Sequence, residues 1–274
     1  MRRLLNQIPG RGESFALGVL PFLAVLFAYV LFSQWRLELN PDDKLLPSLA
    51  AIGSAIKSYA FEEDLRSGRI LLWADTWASL RRIGLALGIS ALFGLVIAVA
   101  IGVVPRLRAL IAPLLSTIAM VPPLALLPIL FIVLGLDETS KVCLIVIGIA
   151  PVIARDLALK VGELPTEQLI KAQTLGASTW QVITRVVLPQ TWPRLIDALR
   201  LTLGAAWLFL IAAEAIAATE GLGYRIFLVR RYLAMDVILP YVAWITLLAV
   251  ASDWLLGRLR ASAFAWAEPE RPER

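Results

Sequence analysis

Long apolar segments alternate with short polar ones along this chain of 274 residues. Residues 83–104 and 109–136 contain no Asp, Glu, Lys or Arg, and residues 14–35 are equally free of charge. A helix needs roughly 20 mostly apolar residues to cross a bilayer, so each segment is long enough to span one. The pattern predicts an all-α integral membrane protein of about six transmembrane helices, at residues 15–35, 82–104, 116–136, 140–159, 201–219 and 237–256.

The first apolar segment also has the order of a secretory signal, because it follows Arg2, Arg3 and Arg11. Its apolar part is longer than the roughly 7–15 residues of a signal core, and no small-residue cleavage site follows Trp35. We therefore expect it to be a retained first span.

The segment between the first two spans, residues 36–82, carries apolar residues at helical spacing. They are Leu45, Leu46, Leu49, Ile52, Ile56 and Tyr59. With lysines among them, the pattern is typical of an amphipathic helix in the outer membrane interface. We thus divide the chain into residues 1–80, with one span and this segment, a core of residues 81–260, and a tail of residues 261–274.

Three prolines, Pro122, Pro123 and Pro128, lie in the first half of the third predicted span. Each proline removes a backbone donor and frees a carbonyl that lipid cannot satisfy. The three are therefore candidate residues of a translocation path, facing protein or water. A kink that only shapes packing is the alternative.

A polar stretch at residues 160–200 separates the fourth and fifth spans. Its pattern predicts one short helix interrupted at Gly176, and a second from Ser178 to Val187 that ends at Leu188-Pro189. Ser178 is a typical N-cap, and proline often follows the last turn of a helix. Two short helices joined at a glycine and held between spans indicate a docking surface for a partner protein.

The composition agrees with a lipid environment, at 59% hydrophobic and 17% charged residues. Soluble domains are about half apolar and about a quarter charged. The net charge of +5 would suggest a nucleic-acid partner in a soluble protein, but here the arginines lie in loops and at span ends, where lipid and orientation account for them. We expect no nucleic-acid partner, and we expect both termini in the cytoplasm, on the side with the larger share of Lys and Arg.

The chain has no histidine and a single cysteine, Cys143, in an apolar run. It thus lacks the commonest general base and the commonest metal ligand, and we expect neither a catalytic site nor a metal site. A GxxxxGK[ST] sequence is also missing, so the chain lacks the usual phosphate-binding loop for ATP. No cofactor of its own is expected.

Glu214 lies inside the fifth predicted span. An acidic residue at mid-bilayer costs roughly 2.5–3.5 kcal/mol on insertion scales, so its carboxylate requires a partner or a wet cavity. Two interpretations follow. Glu214 belongs to the translocation path or gate, or it is a hydrogen-bonding anchor between helices near the outer interface.

Five residues of the polar stretch, Ala172, Gly176, Val186, Leu188 and Pro189, resemble the cytoplasmic-loop signature of importer permeases in the ATP-binding-cassette (ABC) superfamily. That signature is Glu-Ala-Ala, three residues, Gly, nine residues and Ile-x-Leu-Pro. Three further segments are similar to the nitrate/sulfonate/bicarbonate and taurine branch, at residues 121–124, 174–178 and 221–224. The resemblance covers roughly residues 75–260.

This resemblance implies a type I ABC importer permease fold in the bacterial inner membrane. Two separate ATPase subunits would bind ATP and Mg and grip the loop, and a periplasmic binding protein would deliver a small polar solute. A second permease copy, in a homodimer, would complete the path. The residues implied in coupling to the ATPase are Glu167, Lys171, Ala172, Gly176, Ala177, Leu188 and Pro189.

The chain departs from the signature at its first two positions, which are Ile170 and Lys171. Glu167 lies three residues before Ile170 on the same helix face, where it would partly replace the missing glutamate. The alternative is that Glu167 only pairs with Lys171.

A secondary transporter or channel and a membrane enzyme are the competing functions. Secondary transporters tend to have internal repeats and charged coupling residues in several spans, and neither feature is evident here. An enzyme needs a nucleophile with a base, or a metal site, and a chain with no histidine and a single cysteine is poorly supplied for either.

Overall fold

The computed structural model describes residues 10–41 and 43–267, and these residues form helices and connecting segments without a β-strand. The predicted tail beyond residue 267, and the basic residues Arg2 and Arg3, lie outside the described residues. The α-helices are α1 (Arg11–Leu39), α2 (Leu49–Phe61), α3 (Leu71–Val103), α4 (Pro105–Ile118), α5 (Leu127–Leu134), α6 (Glu138–Gly162), α7 (Thr166–Thr174), α8 (Thr179–Val182), α9 (Leu188–Ala217), α10 (Leu222–Val229) and α11 (Met235–Ala263).

Five helical stretches in the described residues are long and apolar enough to cross a membrane. The pair formed by α4 and the helical stretch Pro123–Leu134 makes a sixth if it counts as one bent span. The predicted all-α architecture of about six spans is therefore confirmed.

The second span begins eleven residues earlier than predicted, at Leu71 instead of residue 82. Its 33 residues extend over about 50 Å, which exceeds the roughly 30 Å of a hydrocarbon core. The added turns contain Asp75 and Ser79, and Arg82 follows them at the predicted start; the side chains of all three are buried. These polar residues belong to the helix because they are paired inside the protein, as described below.

The third span is not the single helix that the apolar run predicts. α4 ends at Ile118, a 3₁₀ turn covers Pro123–Leu126, and the two helical halves meet at an angle of 82°. Pro122 has ψ of 113°, in the extended region that a residue before a proline favours. The two adjacent prolines therefore break the helix instead of kinking it.

The end predicted for the second short helix is also wrong. α8 continues through a π-helical segment, Ile183–Val187, directly into α9. Leu188-Pro189 thus lies inside one continuous helix, Thr179–Ala217, and the π-helical segment just before it accommodates the proline, which has no N–H to donate. The fifth span accordingly starts well before residue 201.

The chain divides into two compact units, and the first comprises Met1–Ile70 with Val229–Tyr241. In it, Tyr29 and Ser33 of α1 donate hydrogen bonds to carbonyls of the segment before α2, Tyr29 Oη to Pro47 O at 2.7 Å. The Arg36 guanidinium, helped by the Leu45 N–H, holds the pKa of the Asp43 carboxyl below its ordinary value. α2 forms where the amphipathic pattern predicts it.

The second unit comprises Leu71–Leu228 with Val242–Arg274 and contains the core of α3, α6 and α9. Two glycines permit close helix contact in this core. A Cβ on Gly94 would lie 2.6 Å from Ile153 Cγ2, and a Cβ on Gly148 would lie 2.3 Å from Phe209 Cε2. Small residues at such crossings let membrane helices approach closely.

Candidate functional site

The residues between α6 and α9, 163–187, are called the coupling segment below. α7 ends in a Schellman motif, in which Ala177 N donates to Ala172 O at 3.0 Å and Gly176 N donates to Gln173 O at 2.9 Å. Gly176 has φ of +82°, a conformation that side chains disfavour. Three of the predicted coupling residues, Ala172, Gly176 and Ala177, thus build one turn.

A capping box begins the next helix. Ser178 Oγ accepts from Gln181 N, and Gln181 Oε1 accepts from Ser178 N at 2.8 Å. The Gln190 amide of α9 donates to Gln168 Oε1 of α7 at 3.0 Å and to Val186 O. These bonds connect the coupling segment to the first turns of α9, where Leu188 and Pro189 are half-buried.

Large apolar side chains on the coupling segment point to solvent. Ile170 is 58% exposed, Leu175 80% and Trp180 71%. Large exposed apolar side chains of this kind are candidate contacts of a partner protein. Trp180 has no signal in the sequence, because a tryptophan in a short polar segment has no distinctive spacing.

Glu167 and Lys171 are both exposed on α7. Within the described residues they do not form an ion pair with each other. Both side chains are therefore available to a partner in this conformation.

At the opposite end of α6 and α9 lies a polar group, called the charged cluster, that consists of Asp75, Ser79, Arg82, Glu138 and Glu214, of which all but Glu138 are buried. Arg82 Nη1 donates to Glu214 Oε1 at 2.7 Å, and its Nε and Nη2 donate to the two oxygens of Glu138 at 2.6 and 2.7 Å. Arg82 and Glu214 are fully buried. A buried charge is tolerated only when it is paired and hydrogen-bonded, and this guanidinium bridges two carboxylates.

The turn after α9 is bound to the charged cluster through three successive backbone N–H groups. Gly221 N donates to Asp75 Oδ1 at 2.9 Å, Leu222 N to Ser79 Oγ at 2.9 Å, and Gly223 N to Glu214 Oε2 at 2.8 Å. A Cβ on Gly221, whose φ is +130°, would lie 2.6 Å from Glu214 Cδ. Gly221 is therefore required for this close approach.

Glu214 lies in the last turn of α9 and also accepts a hydrogen bond from Ser79 Oγ at 2.8 Å. Arg82, Ser79 and Gly223 together occupy both of its carboxylate oxygens. This is the arrangement of an anchor between helices, the second of the two interpretations given above. Its partner Arg82 has no obvious sequence signal, because Arg81-Arg82 looks like an ordinary basic pair at a span end.

Pro122 and Pro128 are exposed, and Pro123 is half-buried. The neighbouring side chains Met120 and Leu124 are 76% and 40% exposed. Non-helical backbone at membrane depth occurs only where protein or water surrounds it. The break in the third span therefore needs a protein or aqueous neighbour.

The chain is similar to known proteins of one family. Residues 90–263, more than half of the chain, match the family described as binding-protein-dependent transport system inner membrane component. The chain belongs to this family. The expected function is thus confirmed: the protein is the membrane-spanning permease subunit of an ABC importer, in the nitrate/sulfonate/bicarbonate and taurine branch.

Three relatives place the permease in that branch. It is 38% identical over 195 residues to the taurine transport system permease protein of Escherichia coli, covering 71% of each chain. It is 27% identical to a putative aliphatic sulfonates transport permease protein of Bacillus subtilis, over 75% of this chain and 74% of the relative. It is 30% identical to a bicarbonate transport system permease protein of Synechococcus elongatus, over 57% and 56%.

Among solved structures, the permease is similar to a chain of the MetNI methionine ABC transporter in an inward-facing conformation. The TM-score is 0.58 at 22% identity, over 70% of this chain and 95% of the other. This likeness establishes the type I importer permease fold.

Proposed function

We propose that the permease works as a homodimer with two ATPase subunits, and that it imports a small oxyanionic solute delivered by a periplasmic binding protein. In this arrangement ATP and Mg are bound by the ATPase subunits, and both termini of the permease lie in the cytoplasm. The observation that carries the proposal is the coupling segment, an ordered turn that presents large apolar side chains to solvent.

The coupling segment forms a rigid connection between its exposed side chains and α9. The Schellman turn at Gly176 and the capping box at Ser178 fix its two helices, and the π-helical segment leads into α9 without a break. A partner that binds Leu175 and Trp180 would therefore move α9 with it. Glu167 and Lys171 would flank this contact as charged neighbours.

The broken third span supports a second copy of the chain as its neighbour. Met120, Leu124 and Pro122 are exposed next to backbone that lipid cannot satisfy. Two copies facing each other across this break would enclose a path lined by Pro122, Pro123 and Pro128. Such a path would supply the water or protein that the break requires.

The oxyanionic substrate class rests on the named solutes of the relatives, which are taurine, aliphatic sulfonates and bicarbonate. Glu214 does not oppose an anionic solute, because its charge is balanced by Arg82 inside the protein.

The test is uptake by the permease reconstituted in liposomes with its ATPase and binding protein. Taurine, ethanesulfonate and bicarbonate are the probes, and trimethylammonium compounds of similar size are the controls. We expect ATP-dependent uptake of at least one anionic probe, abolished when the phosphate-loop lysine of the ATPase is replaced. Uptake without ATPase, driven by an ion gradient, would contradict the proposal and favour a secondary transporter.

A further inference from the structure

An arginine without an ion-pair partner lies inside the spanning helix α6. Arg155 is seven residues before the end of α6 at Gly162, about 10 Å along the helix axis. Among the described residues it forms no ion pair with a carboxylate. A charge within a membrane span is expensive unless it faces a cavity or a partner, so such a residue indicates a functional site.

Arg155 lines an open cavity of about 470 Å³ near the coupling segment. A second guanidinium, that of Arg108, lines the same cavity. Arg108 Nε donates to Ile101 O at 3.1 Å and Nη2 donates to Gly102 O at 3.3 Å, so the last carbonyls of α3 fix its position. The cavity therefore has one anchored and one unpaired positive charge.

The rest of the lining is mostly apolar, with Ala112, Leu115 and Leu159 among its residues. Glu163 is a lining carboxylate, and Lys160 holds it at 3.0 Å. An apolar wall with a few convergent polar groups is typical of small-ligand sites. Guanidinium groups match the planar, bidentate geometry of oxyanions.

We infer that Arg108 and Arg155 form an oxyanion site at the coupling end of the permease, where the apolar wall takes a short alkyl group. The ligand is a sulfonate, carboxylate, carbonate or phosphate group, from a transported solute or from an anionic lipid. Its role as a stage in solute transport rests on the proposed function, whereas the binding itself does not.

The site can be probed by a cysteine in its wall. Leu159→Cys is made in the full chain carrying Cys143→Ser, in liposomes of phosphatidylcholine. Two thiol reagents of similar size are compared, 2-sulfonatoethyl and 2-(trimethylammonium)ethyl methanethiosulfonate. We expect the ratio of the anionic reagent's labelling rate to the cationic reagent's labelling rate to fall on the order of tenfold when Arg108 and Arg155 are both replaced by glutamine. Each replacement removes a positive charge close to position 159.

Two controls separate this effect from unfolding. Leu136→Cys, at the other end of α6 and 62% exposed, should keep its rate ratio in the glutamine variants. The variant Arg155→Lys, in which Arg108 is intact, should keep an anionic-to-cationic ratio of labelling rates at position 159 close to that of the chain with both arginines. If the ratio of labelling rates at position 159 does not change when both arginines are replaced, the proposed oxyanion site is wrong.

Protection distinguishes the two sources of the ligand. If the ligand is a soluble solute, millimolar ethanesulfonate should slow the labelling of Leu159→Cys when both arginines are present. Slower labelling only in liposomes with phosphatidylglycerol would identify a lipid phosphate. If the wild-type complex fails to take up any probe, the proposed transport fails, whereas normal uptake with unchanged labelling ratios removes only the oxyanion site.

Discussion

Arg82 is the residue on which the charged cluster depends, since its three donor nitrogens serve Glu138, Glu214 and the carbonyl of Glu220. Breaking a buried ion pair by removing one member costs about 3–5 kcal/mol, because the remaining charge has no solvent. Loss of Arg82 would leave Glu214 uncompensated. Loss of Glu214 would leave Arg82 with Glu138, whose side chain is 44% exposed.

We therefore predict that Arg82→Leu destabilises the purified permease by about 3–5 kcal/mol, and that Glu214→Gln destabilises it less. The measurement is thermal unfolding in detergent, followed by size-exclusion chromatography. Arg81→Leu is the matched control, because Arg81 is 51% exposed and its change should stay within about 0.5 kcal/mol. Equal effects of Arg81→Leu and Arg82→Leu would contradict the assignment.

Gly176 gives a second prediction for single residues. Gly176→Val forces a β-branched side chain into φ of +82°, at a local cost of about 1–2 kcal/mol, and Ala172→Glu adds charge to the same turn. Membrane insertion should be normal, while co-purification of the ATPase or substrate-stimulated hydrolysis is lost.

The control for Gly176→Val is Gly53→Val, at a helical glycine where a Cβ meets nothing within 4 Å. It should leave assembly and stimulated hydrolysis unchanged. Normal assembly and normal stimulated transport in both coupling-segment variants would remove the coupling role.

Local turn chemistry is what the sequence predicts best for single residues. The Gly176 elbow and the Ser178 cap need only neighbours within a few positions. The need of Glu214 for a partner also follows from the sequence, but its identity does not, because Arg82 lies 132 positions away. Two nearby arginines look alike in the sequence, and only packing decides that Arg82 is buried and Arg81 is not.

Among the elements, apolar runs predict that a span exists, whereas polar contacts decide where it ends. α3 extends back to Leu71 because Asp75 and Ser79 bind the turn after α9. The helix of the fifth span extends back through Leu188 because the π-helical segment before it accommodates Pro189. Each end depends on a contact or backbone geometry that hydropathy does not report.

The broken third span gives a prediction at this scale. Leu124→Cys, in the Cys143→Ser background, should react with a hydrophilic thiol reagent, because Leu124 is 40% exposed beside the break. Leu127→Cys should react slowly, since Leu127 is 4% exposed. The rate at 124 should change when the ATPase binds nucleotide.

Leu92→Cys is the control for lipid exposure, because Leu92 is 66% exposed on the unbroken helix α3. A hydrophilic reagent should barely reach it. If Leu124→Cys is as unreactive as Leu92→Cys in every nucleotide state, the prolines only shape packing and do not line a path.

In the core unit as a whole, the charged cluster and the coupling segment lie at opposite ends of α6 and α9. The 25 residues of α6 extend over about 37 Å, enough to cross a bilayer. The order of motifs along the sequence predicts this family and the position of its coupling loop. Which side of the membrane each end faces depends on the charge distribution, which is only slightly asymmetric here.

Topology is therefore the prediction for the whole molecule. Asp137, just before α6, and Gln173, in α7, are both exposed and lie on the two sides of one span. In the Cys143→Ser background, Asp137→Cys should react with a membrane-impermeant thiol reagent in intact cells. Gln173→Cys should react only after the membrane is opened, because the coupling segment must reach ATPase subunits in the cytoplasm. The reverse labelling pattern would place the coupling segment on the side of the membrane that has no ATP. Leu175 and Trp180 could then not bind an ATPase subunit and transmit its movement through the π-helical segment into α9.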